Sequence, residues 1–157
     1  MQNKIIAGVV VALIIIAGGF YIFSKKTENN SDSGGEVLSA TVHKSPNCGC
    51  CLGHAGYMKD EGIEVETIAE SNMNSVKAKH NIPHNMQSCH TTEIGEYFVE
   101  GHVPIEAINK LLTEKPDIDG ITLPDMPSGS PGMPGPKRED FVVYSLEDGV
   151  SEEFMRL

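Results

Sequence analysis

VLSATVHKSPNCGCCLGHAGYMKDEGIEVETI, residues 37–68, is the stretch that decides the fold. Val37 to His43 is apolar and β-branched and predicts a first strand. Lys44 to Gly49 contains Ser-Pro-Asn and predicts a turn. Cys50 to Glu61 predicts a helix, which Gly62 stops. Ile63 to Ile68 alternates apolar with acidic residues, the pattern of a half-buried strand. Strand, helix and strand at this spacing form a parallel β-α-β unit.

Beyond that unit, Ser71 or Asn72 caps a second helix running to about Lys79, and Ile82-Pro83 breaks it. Met86 to Thr91 and Tyr97 to His102 predict two strands turning near Gly95. Pro104 suits the first position of a third helix, which Lys115-Pro116 ends. Its apolar residues Ile105, Ile108, Leu111 and Leu112 fall at helical spacing. The order β-α-β-α-β-β-α is the α/β, thioredoxin-like arrangement. Asp117 to Pro136 is rich in proline and glycine and predicts no regular element. Phe141 to Leu146 (FVVYSL) predicts one extra strand after this Pro/Gly/Met-rich loop.

Toward the amino terminus, Ile5 to Phe23 gives 19 residues without a charge. As a helix it spans about 28 Å, close to a bilayer's hydrocarbon thickness. The expectation is an N-terminal transmembrane helix within residues 1–26, with a cleaved signal as the alternative. Residues 27–36 (TENNSDSGGE) read as a flexible linker, and residues 37–157 as the folded domain. A short amino-terminal tail favours export, which places that domain outside the cytoplasm, in the periplasm. The net charge of -10 falls entirely on that domain, where nine Lys and Arg face nineteen Asp and Glu. This balance excludes a general nucleic-acid binder and permits metal cations as partners.

Cys48-Gly49-Cys50-Cys51 lies where the first strand hands over to the first helix. The positive end of a helix favours thiolate, the form that binds metals and attacks disulfides. Clustered thiolates select Cu(I), zinc or iron–sulfur centres. The bland alternative is a disulfide with a spare thiol. Cys89 and His90 lie in Ser88-Cys89-His90-Thr91, on a predicted strand beside the first one. Either they approach the cluster or Cys89 is a small core residue. His102 precedes the third helix, and His54 falls nearly one helical turn after Cys51. His80 and His84 flank a helix end and predict exposed rings. Met126 and Met133 put two thioethers, ligands suited to Cu(I), on the Pro/Gly loop.

Four motifs carry a family resemblance. Ser45-Pro46-Asn47-Cys48-Gly49-Cys50-Cys51, Ser88-Cys89-His90-Thr91, Glu100-Gly101-His102-Val103-Pro104 and Met126-Pro127-Ser128-Gly129-Ser130-Pro131-Gly132-Met133 occur in that order. Together they resemble the bacterial family catalogued as domain of unknown function 411, whose better-described members are CopG-like periplasmic copper-resistance proteins. The resemblance implies a thioredoxin-like fold with the CxCC cluster at the redox dithiol's position. It also implies copper binding and copper redox conversion between Cu(I) and Cu(II). Carried onto these motifs, Cys48, Cys50 and Cys51 are principal ligands, and Cys89, His90, His102, Met126 and Met133 are supporting ones.

The leading expectation is thus an extracytoplasmic copper-binding protein for copper tolerance, holding several ions and working with copper-transport or redox partners. Two others stand beside it. A thiol–disulfide oxidoreductase would use Cys48 and Cys51, with Pro83 or Pro104 as a facing cis-proline. A structural zinc module would use the same sulfurs without chemistry.

Overall fold

The computed structural model describes residues 37–157. The apolar segment Ile5–Phe23 and the linker 27–36 lie outside the described residues. Among the described residues no helix is long and apolar enough to cross a membrane.

Among the described residues, three helices and seven strands form a mixed α/β fold around one sheet. Strand β1 (Ser39–Lys44) alternates as the pleat requires, burying Ala40, Val42 and Lys44. Lys44 keeps its ammonium satisfied on the carbonyls of Ser45 and Pro46, at 3.0 and 3.1 Å. Helix α1 (Gly49–Asp60) buries Cys51, His54, Ala55 and Met58, an i, i+3, i+4, i+7 stripe. Strand β2 (Glu64–Ala69) then pairs parallel to β1. Helix α2 (Met73–Lys79) begins at Asn72, whose side chain accepts the Asn74 N–H at 3.1 Å.

Strands β3 (His90–Ile94) and β4 (Tyr97–Glu100) form an antiparallel hairpin, with β3 antiparallel to β1. Helix α3 (Ile105–Glu114) buries Ala107, Ile108 and Leu111. Its cap, Pro104, has no side-chain acceptor, so the Tyr57 hydroxyl takes the Ile105 N–H at 2.9 Å. Lys115, with φ of 47°, ends the helix in the left-handed region. Strand β5 (Gly120–Thr122) is parallel to β4, and β6 (Val142–Glu147) and β7 (Val150–Arg156) extend the sheet. The strand order is β2-β1-β3-β4-β5-β6-β7. Val42, Met58, Val99, Val103, Ile108, Leu111, Ile121 and Val143 form the centre of the core.

The first seven elements follow the order read from the sequence, with five corrections. Met86 to Thr91 is strand only at its last two residues: His84–Met86 forms a 3-10 turn and β3 starts at His90 and runs on to Ile94. Asp117 to Pro136 does contain a regular element, β5, fully buried between β4 and β6. The carboxyl end supplies two strands rather than one, because β7 returns along β6. Strand β2 is an outer strand, so its alternation buries little and Ile68 remains 36% exposed. No peptide bond among the described residues is cis, so neither Pro83 nor Pro104 supplies a cis-proline.

Candidate metal centre

Three chain segments converge at the amino-terminal end of α1. The first is the β1–α1 turn, closed by the Cys48 N–H on Ser45 O at 3.1 Å. Cys48 caps α1, and its sulfur accepts the Cys51 N–H at 3.3 Å. The second comes from β3, whose register sets His90 against Lys44 at the end of β1. Cys89, one residue earlier, is thereby brought to the turn. The third leaves β4 at Gly101, whose φ is 84° and whose N–H bonds His90 O at 2.9 Å. A side chain there would strike Ser88 and Leu123 O, so only glycine passes. His102 follows immediately.

The four cysteine sulfurs all lie within 4.8 Å of one another. Cys48 and Cys51 are joined as a disulfide, with Cα atoms 5.4 Å apart, while Cys50 and Cys89 are free. Cys50 Sγ lies 3.5 Å from Cys48 Sγ, and Cys89 Sγ lies 3.5 Å from Cys51 Sγ. The expectation of three neighbouring thiolates therefore changes: two of the three sulfurs are oxidised here, and reduction is needed to free them. Cys89, His90 and His102 form a second group within the same 4.8 Å limit, sharing Cys89 with the first. His90 Nδ1 is 3.2 Å and His102 Nε2 is 2.9 Å from Cys89 Sγ.

The Pro/Gly loop covers this second group. Pro131 O is 2.7 Å from His102 Nδ1. A carbonyl only accepts, so Nδ1 carries the proton and the Nε2 lone pair faces Cys89. Gly132, with φ of 79°, lies against the first turns of α1, where any Cβ would strike the His54 N–H and Gly53. Met133 follows it and is partly buried. Met126 goes elsewhere: 37% exposed, it lines a cleft with Phe141, Tyr144 and Arg156 that contains no cysteine or histidine. His80 is partly buried on Glu93 at 3.0 Å rather than free in solvent, whereas His84 is exposed.

Two buried groups that the motif reading left unassigned complete the site. His54 is fully buried between His90 and Val103 O. Glu100, also fully buried, accepts the Ser88 N–H and the Thr91 hydroxyl, both at 2.6 Å, and pairs with the Lys77 ammonium. It thus brackets Cys89 and His90 from both sides.

Burial governs the protonation of the site. It is the main reason the Cys89 thiol is pushed up to about 12, with nearby Cys50 adding to the effect. Cys89 is therefore a thiol until a metal displaces its proton. Burial also lowers His54 to about 4 and holds His90 and His102 below the ordinary histidine value of 6.5. All three rings are neutral at neutral pH. An unfolded chain protonates His54 near 6.5, whereas the folded one resists down to about 4. The unfolded state then binds more protons, so stability is flat above this window and falls as pH drops through it. From His54 alone the loss is roughly 3 kcal/mol by pH 4. Urea unfolding of metal-free protein between pH 7.5 and 4.5 checks this. His54→Gln should flatten the slope, and a rise in stability on acidification would contradict it.

Comparison with known proteins agrees with this geometry. The family described as "Protein of unknown function, DUF411" matches residues 86–133, from the 3-10 turn through Met133. Two solved structures, both described as copper resistance protein CopG, are 38% identical to this chain and cover 78% of it. The alignment takes in 99% of Form 2 and 98% of Form 1, with TM-scores of 0.73 and 0.72. The chain belongs to the CopG-like DUF411 family. No curated protein matches it. The CopG likeness takes in nearly the whole length of those structures, so it concerns a domain and not a motif alone.

Proposed function

We propose that this CopG-family chain binds copper outside the cytoplasm, for copper tolerance. In the reduced state Cys48, Cys50, Cys51 and Cys89 hold Cu(I), and His90 and His102 complete the shell. The observation that carries the reading is the convergence of four cysteine sulfurs within 4.8 Å of one another. Soft sulfur donors favour Cu(I), and Cys89, belonging to both groups, is placed to bridge two ions. The name of the CopG structures supports copper as the cargo. Met133 on the covering loop is a candidate extra donor; Met126 would need the loop to move. The order and pairing of β1 to α3 support a thioredoxin-like arrangement with Cys48 and Cys51 at the dithiol position. The uncharged segment Ile5–Phe23 supports a membrane anchor.

Copper redox conversion fits the same sulfurs. Oxidation of the Cys48 and Cys51 thiolates to the disulfide releases two electrons, enough to convert two Cu(II) to two Cu(I). Cys50, Cys89, His90 and His102 would keep their donor atoms through that step. One observation favours a second reading, thiol–disulfide exchange: the Cys48–Cys51 bridge sits at the cap of α1, where a thiolate is stabilised.

Anaerobic Cu(I) titration of the full chain, before and after reduction, with X-ray absorption, tests the reading. The reduced chain should take up more copper, ligated mainly by sulfur. The disulfide form should take up less, with mixed sulfur and nitrogen ligation. Equal uptake in both states sinks the proposal, and tight zinc that copper does not displace replaces it with the structural-zinc reading.

A further inference from the structure

His90 has two nitrogens, and the structure distinguishes them. Nδ1 faces Cys89 Sγ at 3.2 Å, inside the candidate metal subsite. Nε2 faces away, toward His54 Nδ1 at 3.0 Å. His54 Nε2 in turn lies 3.0 Å from Val103 O. The chain of partners has one consistent proton assignment for neutral rings. Val103 O can only accept, so His54 carries its proton on Nε2. His54 Nδ1 is then a lone pair, and His90 must donate to it from Nε2. That leaves His90 Nδ1 unprotonated, with its lone pair aimed at Cys89. On the opposite side, Pro131 O does the same for His102 and leaves Nε2 free. Two lone pairs and one sulfur thus converge on one small volume.

We propose that His54 is a positioning residue for the metal subsite of Cys89, His90 and His102, holding His90 in the tautomer whose Nδ1 is free to ligate. The proposal rests on the copper reading above. Without an acceptor at His54, His90 has a choice. It can turn its proton to Nδ1 and donate to Cys89 Sγ, which removes the ligand lone pair. Outer partners of ligating histidines act in this way, and their loss typically lowers metal affinity about 10- to 100-fold. The ring of His54 is also packed against both other imidazoles, with centroids 4.9 Å from His90 and 5.2 Å from His102. Its own nitrogens are occupied by His90 and Val103, so it serves the subsite through His90 rather than as a ligand.

The test uses reduced, metal-free full chain with nitrogen-labelled histidine, and NMR that correlates ring nitrogens with ring protons. Wild-type His90 should report the Nε2–H tautomer. His54→Leu should raise the Nδ1–H population of His90 and weaken Cu(I) binding about 10- to 100-fold. His54→Asn places a carbonyl oxygen where Nδ1 was and should restore both. His54→Gln retains the bond to Val103 O but puts no acceptor against His90, so it should behave like His54→Leu. A merely structural role predicts the reverse order, with glutamine the better substitute. If His90 keeps its Nε2–H tautomer in all three variants, the proposal is overturned while the copper reading stands. If wild-type chain binds no Cu(I), the copper reading fails and the proposal fails with it.

Discussion

Replacing Cys89 with alanine should weaken Cu(I) binding more than replacing Cys50 does. Both residues are free and partly exposed, and each sulfur lies 3.5 Å from one half of the Cys48–Cys51 pair. Their difference is topological. Cys50 belongs to the sulfur group alone, whereas Cys89 belongs to both groups. Losing Cys50 leaves Cys89, His90 and His102 intact. Losing Cys89 reduces the sulfur group to three and leaves two imidazoles aimed at an empty volume. Complete thiolate or histidine sites bind zinc in small peptides with about 10–16 kcal/mol, so one ligand in four carries roughly 3 kcal/mol, or about 100-fold in affinity. Cys89→Ala should therefore lose about 100-fold or more, and Cys50→Ala distinctly less. Competition against a Cu(I) chelator, on reduced full chain, measures both. Proton counting adds a second readout. The Cys89 thiol is pushed up to about 12, so binding there releases one proton throughout the neutral range. Cys89→Ala should remove that proton from the count. Equal affinities for the two variants would mean that Cys89 does not join the groups.

The features legible in the sequence are those with a period or a local partner. The helical spacing of Ile105, Ile108, Leu111 and Leu112 in α3 and the apolar, β-branched run of β1 are both written in the sequence, and both elements appear in the structure, whereas the buried face of α1 carries a cysteine and a histidine and shows no clear apolar period. Strand β5 is only three residues long, too short for any period, and its glycine is required because the chain lies against Phe98. Strand β7 (VSEEFMR) carries no apolar alternation that would mark it as a strand, although Phe154 and Met155 pack against the core; an outer strand with one neighbour needs little apolar character.

The site divides in the same way. Thiol clustering is visible in CGCC, and the strand predicted beside the first one points Cys89 or His90 towards it; His102 stands in the sequence only as a residue before a helix, and its complete burial beside Cys89 comes from the fold. Whether Cys48 and Cys51 stand as thiolates or as a disulfide is a matter of oxidation, which the residue types permit equally. The roles of His54 and Glu100 depend on burial in three dimensions. Nothing local marks Glu100 except its place at the end of the YFVE run, where a carboxylate follows three apolar residues. Aligned with β3, it turns inward instead of outward. A buried Glu is rare unless paired, and its partner, Lys77, lies on a different element altogether.

That pair underlies the largest stability effect expected in the chain. Glu100→Gln retains the side chain's shape: its one oxygen keeps the Ser88 N–H, and its amide NH2 donates to the Thr91 hydroxyl, which turns to accept. It removes the charge opposite Lys77, whose side chain is only 6% exposed. Taking away one partner of a buried pair leaves the other charge desolvated, at a cost of about 3–5 kcal/mol. For a folded domain of this size that corresponds to a Tm lowered by roughly 12–20 °C. The double variant Lys77→Met with Glu100→Gln removes both charges and should recover most of the loss, because burying two neutral groups avoids the unpaired ammonium. Calorimetry of the two variants and of wild type makes the comparison. The proposed copper site supplies an independent reading. Glu100 holds both flanks of Cys89-His90, at Ser88 and at Thr91, so the double variant retains stability but loses the charged clamp. Its Cu(I) affinity should remain below wild type even where its Tm is restored. If Glu100→Gln costs under about 1 kcal/mol, the ammonium must reach solvent, and Lys77 cannot be the buried counter-charge that its exposure indicates.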